Sequence, residues 1–311
     1  MAVSDNDIRI AYIVSAYQQP ELLIRVIRRL HAPDHGFFIH YDLRSPDKEF
    51  EQVKRGLAEF SNVVFLPRHK CRWGDFGHVL ASLKGIDEIA RQGFVHDYAV
   101  LLTGQDYPLK SDRQIRARLR DAAGMSFMEN EAWPIADLDY GRAIKRIENF
   151  HVHLPFPRWT RSLGWPVTMQ HIAFPARRKI PCNHHPYFGA SYWYLHRSCI
   201  EEIHRFVAAH PEYPEFFKHV LIPDESFFPT LLMNSELAGT IVPRTLTHVV
   251  WRPPWPGILT SDDLPVLRES DCLLARKFAP AVDARVLDEL DLLIDSVPAA
   301  GQAGPEQMGA T

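Results

Sequence analysis

The stretch IRIAYIVSAYQQPELLIRVIRRLHA, Ile8 to Ala32, decides the fold class. It begins with a nearly continuous apolar run, which is typical of a strand buried on both faces of a sheet. Pro20 then opens a segment with apolar residues at helical spacing, as a first-turn proline allows. A buried strand followed at once by an amphipathic helix is the repeating unit of a parallel sheet covered by helices.

The same alternation of strand and helix patterns continues to about residue 130. The further segments are, in chain order, strand GFFIHYD, helix KEFEQVKRGLAEF, strand NVVFLP, helix FGHVLASLKGIDEIARQG, strand DYAVLLTG, helix SDRQIRARLRDA and strand MSFMEN. Ser111 and Gln114 are spaced as a capping box at the start of the last helix. We therefore predict an α/β fold with a Rossmann-like, mainly parallel sheet flanked by helices.

After Asn130 the chain changes character. Residues 132–187 are rich in Trp, Pro, His and Arg and show little periodicity, which favours ordered loops that cover a substrate. Regular patterns return with YFGASYWYLHRSCIEEIHRFVAAH. We predict one domain over 1–297, whose two halves meet at about residue 130. The tail, 298–311, lacks bulky residues and is predicted to be disordered.

Charge and composition exclude several classes of protein. The 311 residues carry a formal charge of −3, which argues against a nucleic-acid partner. The four cysteines form no CxxC pair and are expected to be the reduced thiols of an intracellular protein. We find no signal-peptide pattern and no apolar run near the ~18 residues of a membrane span. We expect a cytoplasmic protein, and peripheral membrane association stays open.

Polar residues stand where four of the predicted strands end. Because ligands of parallel sheets bind at the carboxyl ends of the strands, these residues predict a ligand cleft, although Asp and Gly at strand ends are also common turn formers. No dinucleotide-binding glycine motif and no P-loop occurs. The strand-end residues are His40, Asp42, Trp73, Gly74, Asp75, Asp106 and Glu129.

The segment IPDESFFPTLL, Ile222 to Leu232, places two acids before an apolar run. In one interpretation Ser226 is the N-cap of a buried helix, Pro229 is its third residue, and Asp224 and Glu225 only precede the cap. In the other, a carboxylate at the lip of an apolar segment is a general base, because partial desolvation raises its pKa. The segment alone does not choose between them.

Seven blocks of the chain, taken together, resemble one family of glycosyltransferases. They are AYIVSAYQQPELLIRVIRRL, IHYDLRS, WGDF, LLTGQDYPLKS, YFGASYWYLHRSCIEEI, IPDESFFPTLL and CLLARKFAP. Their content and order are similar to the core-2/I-branching β-1,6-N-acetylglucosaminyltransferases and peptide O-xylosyltransferases, family 14. The resemblance extends from about Ile8 to Pro280. It implies a GT-A fold and transfer from a UDP-sugar with inversion, without a metal ion or other cofactor. On this resemblance 1–297 is one catalytic domain, with a nucleotide-binding half (1–130) and an acceptor half (131–297).

The resemblance also implies roles for individual residues. Glu225 matches the catalytic base, Lys277 the lysine that contacts the UDP diphosphate, and Asp42 the aspartate near the uridine, with His40 in the same block. Further cations for the phosphates are Arg276, Arg268 and Arg252, although Arg276 and Lys277 could also be solvated helix-end charges. Positions that match acceptor contacts in some relatives are Glu129, Arg142 and Lys145, while Gly189 lies in a block where relatives often have Gly-Ser.

Two patterns in the sequence could indicate a metal site, but neither is favoured. The letters DLD, Asp137–Asp139, fit the metal motif of other GT-A enzymes but lie in the irregular stretch, and SDD, Ser261–Asp263, is interpreted as a helix cap. Zinc could be bound by His151 and His153 together with Cys182, His184 and His185, but their spacing matches no standard site.

The sequence thus predicts an inverting, metal-independent glycosyltransferase that moves a sugar, GlcNAc or xylose first, from a UDP-sugar to an acceptor hydroxyl. A cytoplasmic location fits the building of a surface glycan rather than Golgi-type protein modification. One alternative is a non-catalytic protein of the same fold that binds a nucleotide or glycan. A more distant alternative is a zinc-dependent hydrolase.

Overall fold

The computed structural model describes residues 8–135, 143–153, 171–252 and 255–296. Several residues named above lie outside these ranges: Arg142, the DLD letters of Asp137–Asp139 and the tail predicted to be disordered, 298–311.

Within the described ranges, short strands alternate with helices. The strands are β1 Ile10–Ala16, β2 Gly36–Tyr41, β3 Val63–Phe65, β4 Tyr98–Thr103, β5 Asp106–Pro108, β6 Ser126–Met128, β7 Glu131–Ala132, β8 Phe150–His153, β9 His171–Phe174, β10 Tyr187–Phe188, β11 Trp193–His196, β12 Ile241–Val242, β13 Thr247–Val249, β14 Trp251–Arg252, β15 Trp255–Pro256 and β16 Leu274–Arg276. The helices are α1 Pro20–Leu30, α2 Asp47–Gly56, α3 Gly77–Gln92, α4 Asp112–Asp121, α5 Ala143–Glu148, α6 Arg197–Ala209, α7 Glu212–Phe217, α8 Phe227–Met233, α9 Leu264–Glu269 and α10 Arg285–Asp295.

The main sheet has seven strands in the order β12-β6-β11-β4-β1-β2-β3. β1 pairs in parallel with β2 and β4, and the pairs β2–β3 and β6–β12 are also parallel. Only β11 runs against its two neighbours, β4 and β6. This confirms the predicted class, a Rossmann-like and mainly parallel sheet flanked by helices, and it is consistent with a GT-A-like fold.

Helices cover both faces of the sheet, which explains the continuous apolar strands. On β1, Tyr12 and Val14 belong to one buried cluster, while Ala11 and Ile13 belong to the other. The first cluster takes apolar residues from α1, α2, α4, α9 and α10, and the second from α3, α5, α6, α7 and α8. Because both faces are packed, the carboxyl edge of the sheet is where a ligand has access.

A second sheet, of three strands, lies beside this edge in the order β13-β16-β5. β16 comes from near the end of the chain, and it pairs antiparallel with β5, so that Arg276 stands opposite Asp106. The small sheet therefore brings the ARKF block to the strand end at which the QDYP block begins.

The second half of the chain also contributes to the main sheet, since β11 and β12 lie beside β6. The stretch interpreted as largely irregular, 132–187, contains the helix α5 and the antiparallel pair β8–β9. No helix in the described ranges has the length and apolar character needed to span a membrane.

Candidate active site

The predicted strand-end residues meet at one edge of the sheet because β1, β2, β4 and β6 share one direction. Asp42 directly follows β2, Asp106 begins β5 just after β4, and Glu129 directly follows β6. The backbone N–H of Asp42 donates to Ala16 at the end of β1, at 2.8 Å. The edge therefore carries several carboxylates from separate parts of the chain.

The acids of the PDE block lie in a short 3₁₀ turn, Pro223–Glu225, rather than in a helix. Ile222, just before it, has a left-handed backbone (φ 54°), a conformation that strains a β-branched residue. Its N–H donates to the carbonyl oxygen of Gly74 at 2.9 Å, which ties the turn to the WGDF loop. The Ser191 hydroxyl donates to Asp224 at 2.6 Å. These contacts hold the turn in place and so fix the position of the Glu225 side chain at the carboxyl edge of the main sheet.

Gly189 holds the other side of the same turn. Its N–H donates to the backbone carbonyl of Glu225 at 2.9 Å. A Cβ at position 189 would lie 1.9 Å from the carbonyl oxygen of Glu129, so only glycine lets β10 pass this close to the end of β6. The next N–H, of Ala190, donates to the Glu129 carboxylate at 3.1 Å.

The carboxylate of Glu225 has the electrostatics of a titrating group. Burial raises its pKa to about 7, the neighbouring Arg146 opposes the rise, and the carboxylates of Asp224 and Glu129 add to it. The Arg146 guanidinium donates to Glu225 at 2.6 Å, while 39% of the Glu225 side chain stays accessible. Such a carboxylate changes its charge near neutral pH and can be reached by a substrate.

Arg146 is itself held in place. It lies on α5, its guanidinium is 5.7 Å from the centre of the Phe188 ring, and its backbone carbonyl accepts the N–H of Leu221 at 3.1 Å. The loop that carries the acids and the helix that carries the arginine are thus connected through both side chain and backbone.

A buried cation lies at another part of the edge. Arg276 stands 3.5 Å from the Asp106 carboxylate, and 1% of the Asp106 side chain is exposed. The guanidinium also lies 4.2 Å from the centre of the Tyr192 ring. Burial raises the pKa of Tyr192, Arg276 opposes the rise, and the carboxylates Asp106, Asp224 and Glu225 strengthen it. Tyr192 therefore lies close to both the acidic turn and the Arg276 guanidinium, so the turn and the cation belong to one site.

Lys277 differs from its neighbour Arg276. Its backbone is fixed, because its carbonyl accepts the N–H of Leu259 and the next residue donates to Gln105, both at 2.9 Å. Its side chain is only partly buried and makes no ion pair within the described residues. The ammonium is therefore available to an anion.

His40 and Asp42 lie beneath the same edge, and protein groups already satisfy much of their bonding capacity. Asp42 accepts the backbone N–H groups of Arg44 at 2.8 Å and Cys71 at 3.3 Å, and it pairs with the Arg44 guanidinium at 2.6 Å. The Nε2 of His40 accepts the N–H of His69 at 3.1 Å. Burial, with nearby cations, lowers the pKa of His40 to about 3, so this ring is neutral.

Two of the predicted cations, Arg252 and Arg268, lie elsewhere on the surface. Arg252 pairs with Asp263 at 2.5 Å, beside a 3₁₀ turn, Ser261–Asp263, whose acid caps it as predicted. Arg268 lies in a groove between α9 and α10. Lys145 and Trp73 are exposed. The phosphate role of the two arginines and the acceptor role of Lys145 and Trp73 stay predictions.

Among the residues that could form the predicted zinc site, those with described side chains do not come together. The side chain of His153 lies outside the described part of the chain. The ring of His151 contacts the carbonyl of Lys145 at 3.2 Å, and that of His185 contacts the carbonyl of Trp133 at 2.5 Å. Cys182 instead groups with two other residues, which are considered below.

Sequence reasoning missed two residues of the site, Arg146 and Tyr192. Arg146 directly follows the predicted Lys145, and the helical spacing of α5 was the only signal that could have distinguished them. Tyr192 stands in the quoted block FGASYWY, where an aromatic residue beside a glycine turn gave no reason to prefer it over its neighbours.

Comparison with known proteins identifies one family. The sequence model of the Core-2/I-Branching enzyme family matches residues 10–265. The chain belongs to this family. The match contains both the PDE turn and the strand ends that surround it.

Individual relatives are distant. The chain is 25% identical over 246 residues to mouse "Beta-1,3-galactosyl-O-glycosyl-glycoprotein beta-1,6-N-acetylglucosaminyltransferase 4", covering 76% of this chain and 50% of that protein. It is 22% identical to human "Probable beta-1,3-galactosyl-O-glycosyl-glycoprotein beta-1,6-N-acetylglucosaminyltransferase 7" (94% and 69% covered) and 24% identical to human "Xylosyltransferase 1" (96% and 32% covered). The chain thus spans half of the mouse relative and about a third of the xylosyltransferase.

Proposed function

We propose that this protein is an inverting glycosyltransferase that moves a sugar from a UDP-sugar to an acceptor hydroxyl, with Glu225 as the general base. The observation that carries the proposal is the accessible Glu225 carboxylate, whose pKa is raised to about 7. GlcNAc and xylose are the first sugars to test, because the relatives named above are N-acetylglucosaminyl- and xylosyltransferases.

The chemistry requires one base on the face of the sugar opposite the leaving group. In an inverting transfer the acceptor oxygen forms a bond to the anomeric carbon while the bond to the UDP oxygen breaks, and the acceptor proton passes to the base. A carboxylate with a pKa near the working pH is suited to take that proton. Arg146 keeps Glu225 sufficiently ionised and fixes the direction of its oxygens.

The departing UDP carries negative charge, and positive groups that are already in position must stabilise it. Lys277 has a fixed backbone and a side chain free to meet a phosphate, and Arg276 adds a positive charge held by Asp106 and Tyr192. Preorganised charge of this kind is a large part of transition-state stabilisation. We propose that these cations serve where other GT-A enzymes use a divalent ion, so that the transfer itself needs no metal.

The acceptor would lie against the Glu225 side of the edge. Glu129 is fixed by the Ala190 N–H and lies close enough to influence the titration of Glu225. Trp73 is 38% exposed and offers an aromatic face on which a sugar ring can stack. The identity of the acceptor is not part of the proposal.

The proposal is tested with a thermal-shift panel of UDP, UDP-GlcNAc, UDP-xylose, UDP-glucose and UDP-galactose, with chelator-treated protein as the reference. A ligand at ~100 times its dissociation constant adds about 2.7 kcal/mol to the free energy of unfolding, which a melt detects. We expect UDP and one UDP-sugar to raise the melting temperature in chelator. A panel without any shift would contradict the proposal.

Turnover separates the enzyme from a binding protein of the same fold. The sugar that stabilises the protein is offered with a set of glycan acceptors, and released UDP is measured. Release that depends on an acceptor supports transfer. If the protein binds the UDP-sugar but neither the wild type nor Glu225→Gln releases UDP when an acceptor is added, the non-catalytic alternative is favoured instead.

A further inference from the structure

We propose that Cys182, His210 and Glu212 form a transition-metal site, for zinc first, away from the Glu225 turn. Cys182 lies in the 3₁₀ turn Pro181–Asn183, His210 directly follows α6, and Glu212 begins α7. The inference is independent of the proposed transfer reaction.

The three donor atoms are spaced as one face of a zinc coordination tetrahedron. The Cys182 sulfur is 3.5 Å from the His210 Nδ1, that nitrogen is 3.0 Å from the Glu212 Oε1, and the sulfur is 3.9 Å from the same oxygen. Zinc bonds of about 2.3 Å to sulfur and about 2.0–2.2 Å to nitrogen and oxygen separate tetrahedral donors by about 3.3–3.6 Å. Small side-chain rotations would therefore suffice to bind the ion.

The backbone around the donors is fixed by contacts that do not involve them. The N–H of His210 donates to the carbonyl of Phe206 at 2.9 Å, and the N–H of Tyr213 donates to the carbonyl of His210 at 3.0 Å. The ring of His210 packs on that of Phe206, with centroids 4.5 Å apart. A preorganised ligand set loses little conformational entropy when it binds a metal.

The site is open to solvent on its outer side. Cys182 is exposed, and the His210 and Glu212 side chains are 40% and 54% exposed. Water can therefore enter and supply a fourth ligand, and a metal from solution can reach the Cys182 thiol, which releases its proton to solvent as the metal binds. Carboxylate, imidazole and thiolate together suit zinc better than magnesium or calcium, which prefer oxygen donors.

A second group with ligating residues, His40, His69 and Cys71, is less suited to a metal. The Lys84 ammonium lies 3.1 Å from the Nδ1 of His69 and would repel a cation. The other ring nitrogen of His69 contacts the Gly77 carbonyl at 2.8 Å.

A metal at Cys182 would act on structure rather than on transfer. It would join the turn at 181–183 to the α6–α7 corner, and the same turn leads into β10 and Gly189, which contacts the backbone of Glu225. The ion would thus stabilise the segment from the turn at 181–183 to Gly189, beside the Glu225 site, without contacting the reacting groups.

Cobalt titration tests the site, because a cobalt–thiolate bond gives a charge-transfer absorption that oxygen and nitrogen ligands do not. The reduced, chelator-treated full chain is titrated with Co²⁺, and then with Zn²⁺ to displace it. We expect one equivalent of Co²⁺ to produce the absorption in the wild type and in Cys272→Ser, a control at the other partly accessible thiol. Cys182→Ser should remove it, and His210→Ala and Glu212→Gln should each weaken binding by about tenfold or more.

A melt gives a readout that does not depend on colour. Zn²⁺ should raise the melting temperature of the wild type and of Cys272→Ser by about 2–4 °C and leave Cys182→Ser unchanged. An absorption that persists in Cys182→Ser, or that fails to saturate near one equivalent, would overturn the proposal. If Cys182→Ser does not fold, Glu212→Gln decides, since unchanged Co²⁺ affinity in that variant would equally overturn it.

Discussion

Two acid–arginine pairs lie along the same edge of the sheet, Glu225 with Arg146 and Asp106 with Arg276. The first is short, at 2.6 Å, and leaves 39% of the acid exposed. The second is longer, at 3.5 Å, and its acid is 1% exposed and also accepts the N–H and hydroxyl of Thr103. Burial raises the pKa of both carboxyl groups.

The difference lies in what each pair presents to a substrate. In the first pair the carboxylate is accessible and the arginine supports it, which suits proton transfer. In the second the carboxylate is enclosed, and its role is to hold a buried guanidinium beside Tyr192. The same chemical pair thus gives an accessible acid at one place and a fixed positive charge at the other. The following substitutions separate these roles.

The largest effect is expected from Glu225→Gln. This change keeps the shape of the side chain but removes the base, so transfer should fall by about 10²–10⁴-fold while UDP affinity stays within about twofold. Asp224→Asn is the matched control, because it alters the adjacent acid and keeps an acceptor for Ser191. Released UDP and calorimetric binding are the measurements. If Asp224→Asn loses as much transfer activity as Glu225→Gln, the assignment of Glu225 as the base is wrong.

The neighbouring cations Lys277 and Arg276 are expected to differ in role. Loss of Lys277 should weaken UDP binding, whereas loss of Arg276 should lower stability. Lys277→Ala removes a charge-assisted phosphate contact of about 1.5–3 kcal/mol, so UDP should bind about 10–100-fold more weakly at an unchanged melting temperature. Arg276→Ala leaves a buried acid unpaired and should lower the free energy of unfolding by up to about 3–5 kcal/mol. Calorimetry and thermal melts of both variants check this.

Two results would contradict this difference between Lys277 and Arg276. If Lys277→Ala binds UDP as well as the wild type does, the lysine is a solvated surface charge, as the sequence alone allowed. If Arg276→Ala melts at the wild-type temperature, Asp106 does not depend on its arginine.

The parts of the fold set by local patterns were predictable. Strand and helix periods gave β1–β4, β6 and the first four helices, and the capping box of Ser111 and Gln114 is present. The helix after the PDE turn begins at Phe227 with Pro229 as its third residue, as expected, although the Ser226 side chain does not cap it.

The parts set by contacts distant in sequence were not. Nothing in the letters SYWYLH around Tyr194 shows that β11 enters the sheet antiparallel between β4 and β6, because that position depends on pairing with residues 65 to 98 positions earlier. The pairing of Arg276 with Asp106 spans 170 residues, which follows from 276 − 106. For the same reason the family resemblance indicated Lys277 while the role of its neighbour became visible only in the structure.

The smallest of these effects is expected at Arg146, the partner of Glu225. Its charge lowers the pKa of the carboxyl group, so Arg146→Ala should move the pH dependence of kcat/KM to higher pH, by roughly one unit, and cost about fivefold in rate near pH 7. Arg146→Lys should restore part of the shift. Lys145→Ala, an exposed neighbour on the same helix, should leave the pH dependence unchanged. An unshifted profile in Arg146→Ala would show that the ion pair does not tune the acid.

The measurement that tests the central claim most directly is the pH dependence of kcat/KM in the wild type and in Glu225→Gln. Because the base must be ionised and its pKa is raised to about 7, the wild-type rate should rise through that pH and then level off. The residual rate of Glu225→Gln should lack this step. A step that survives in Glu225→Gln, or a wild-type profile that is flat from about pH 5 to 9, would mean that another group takes the proton.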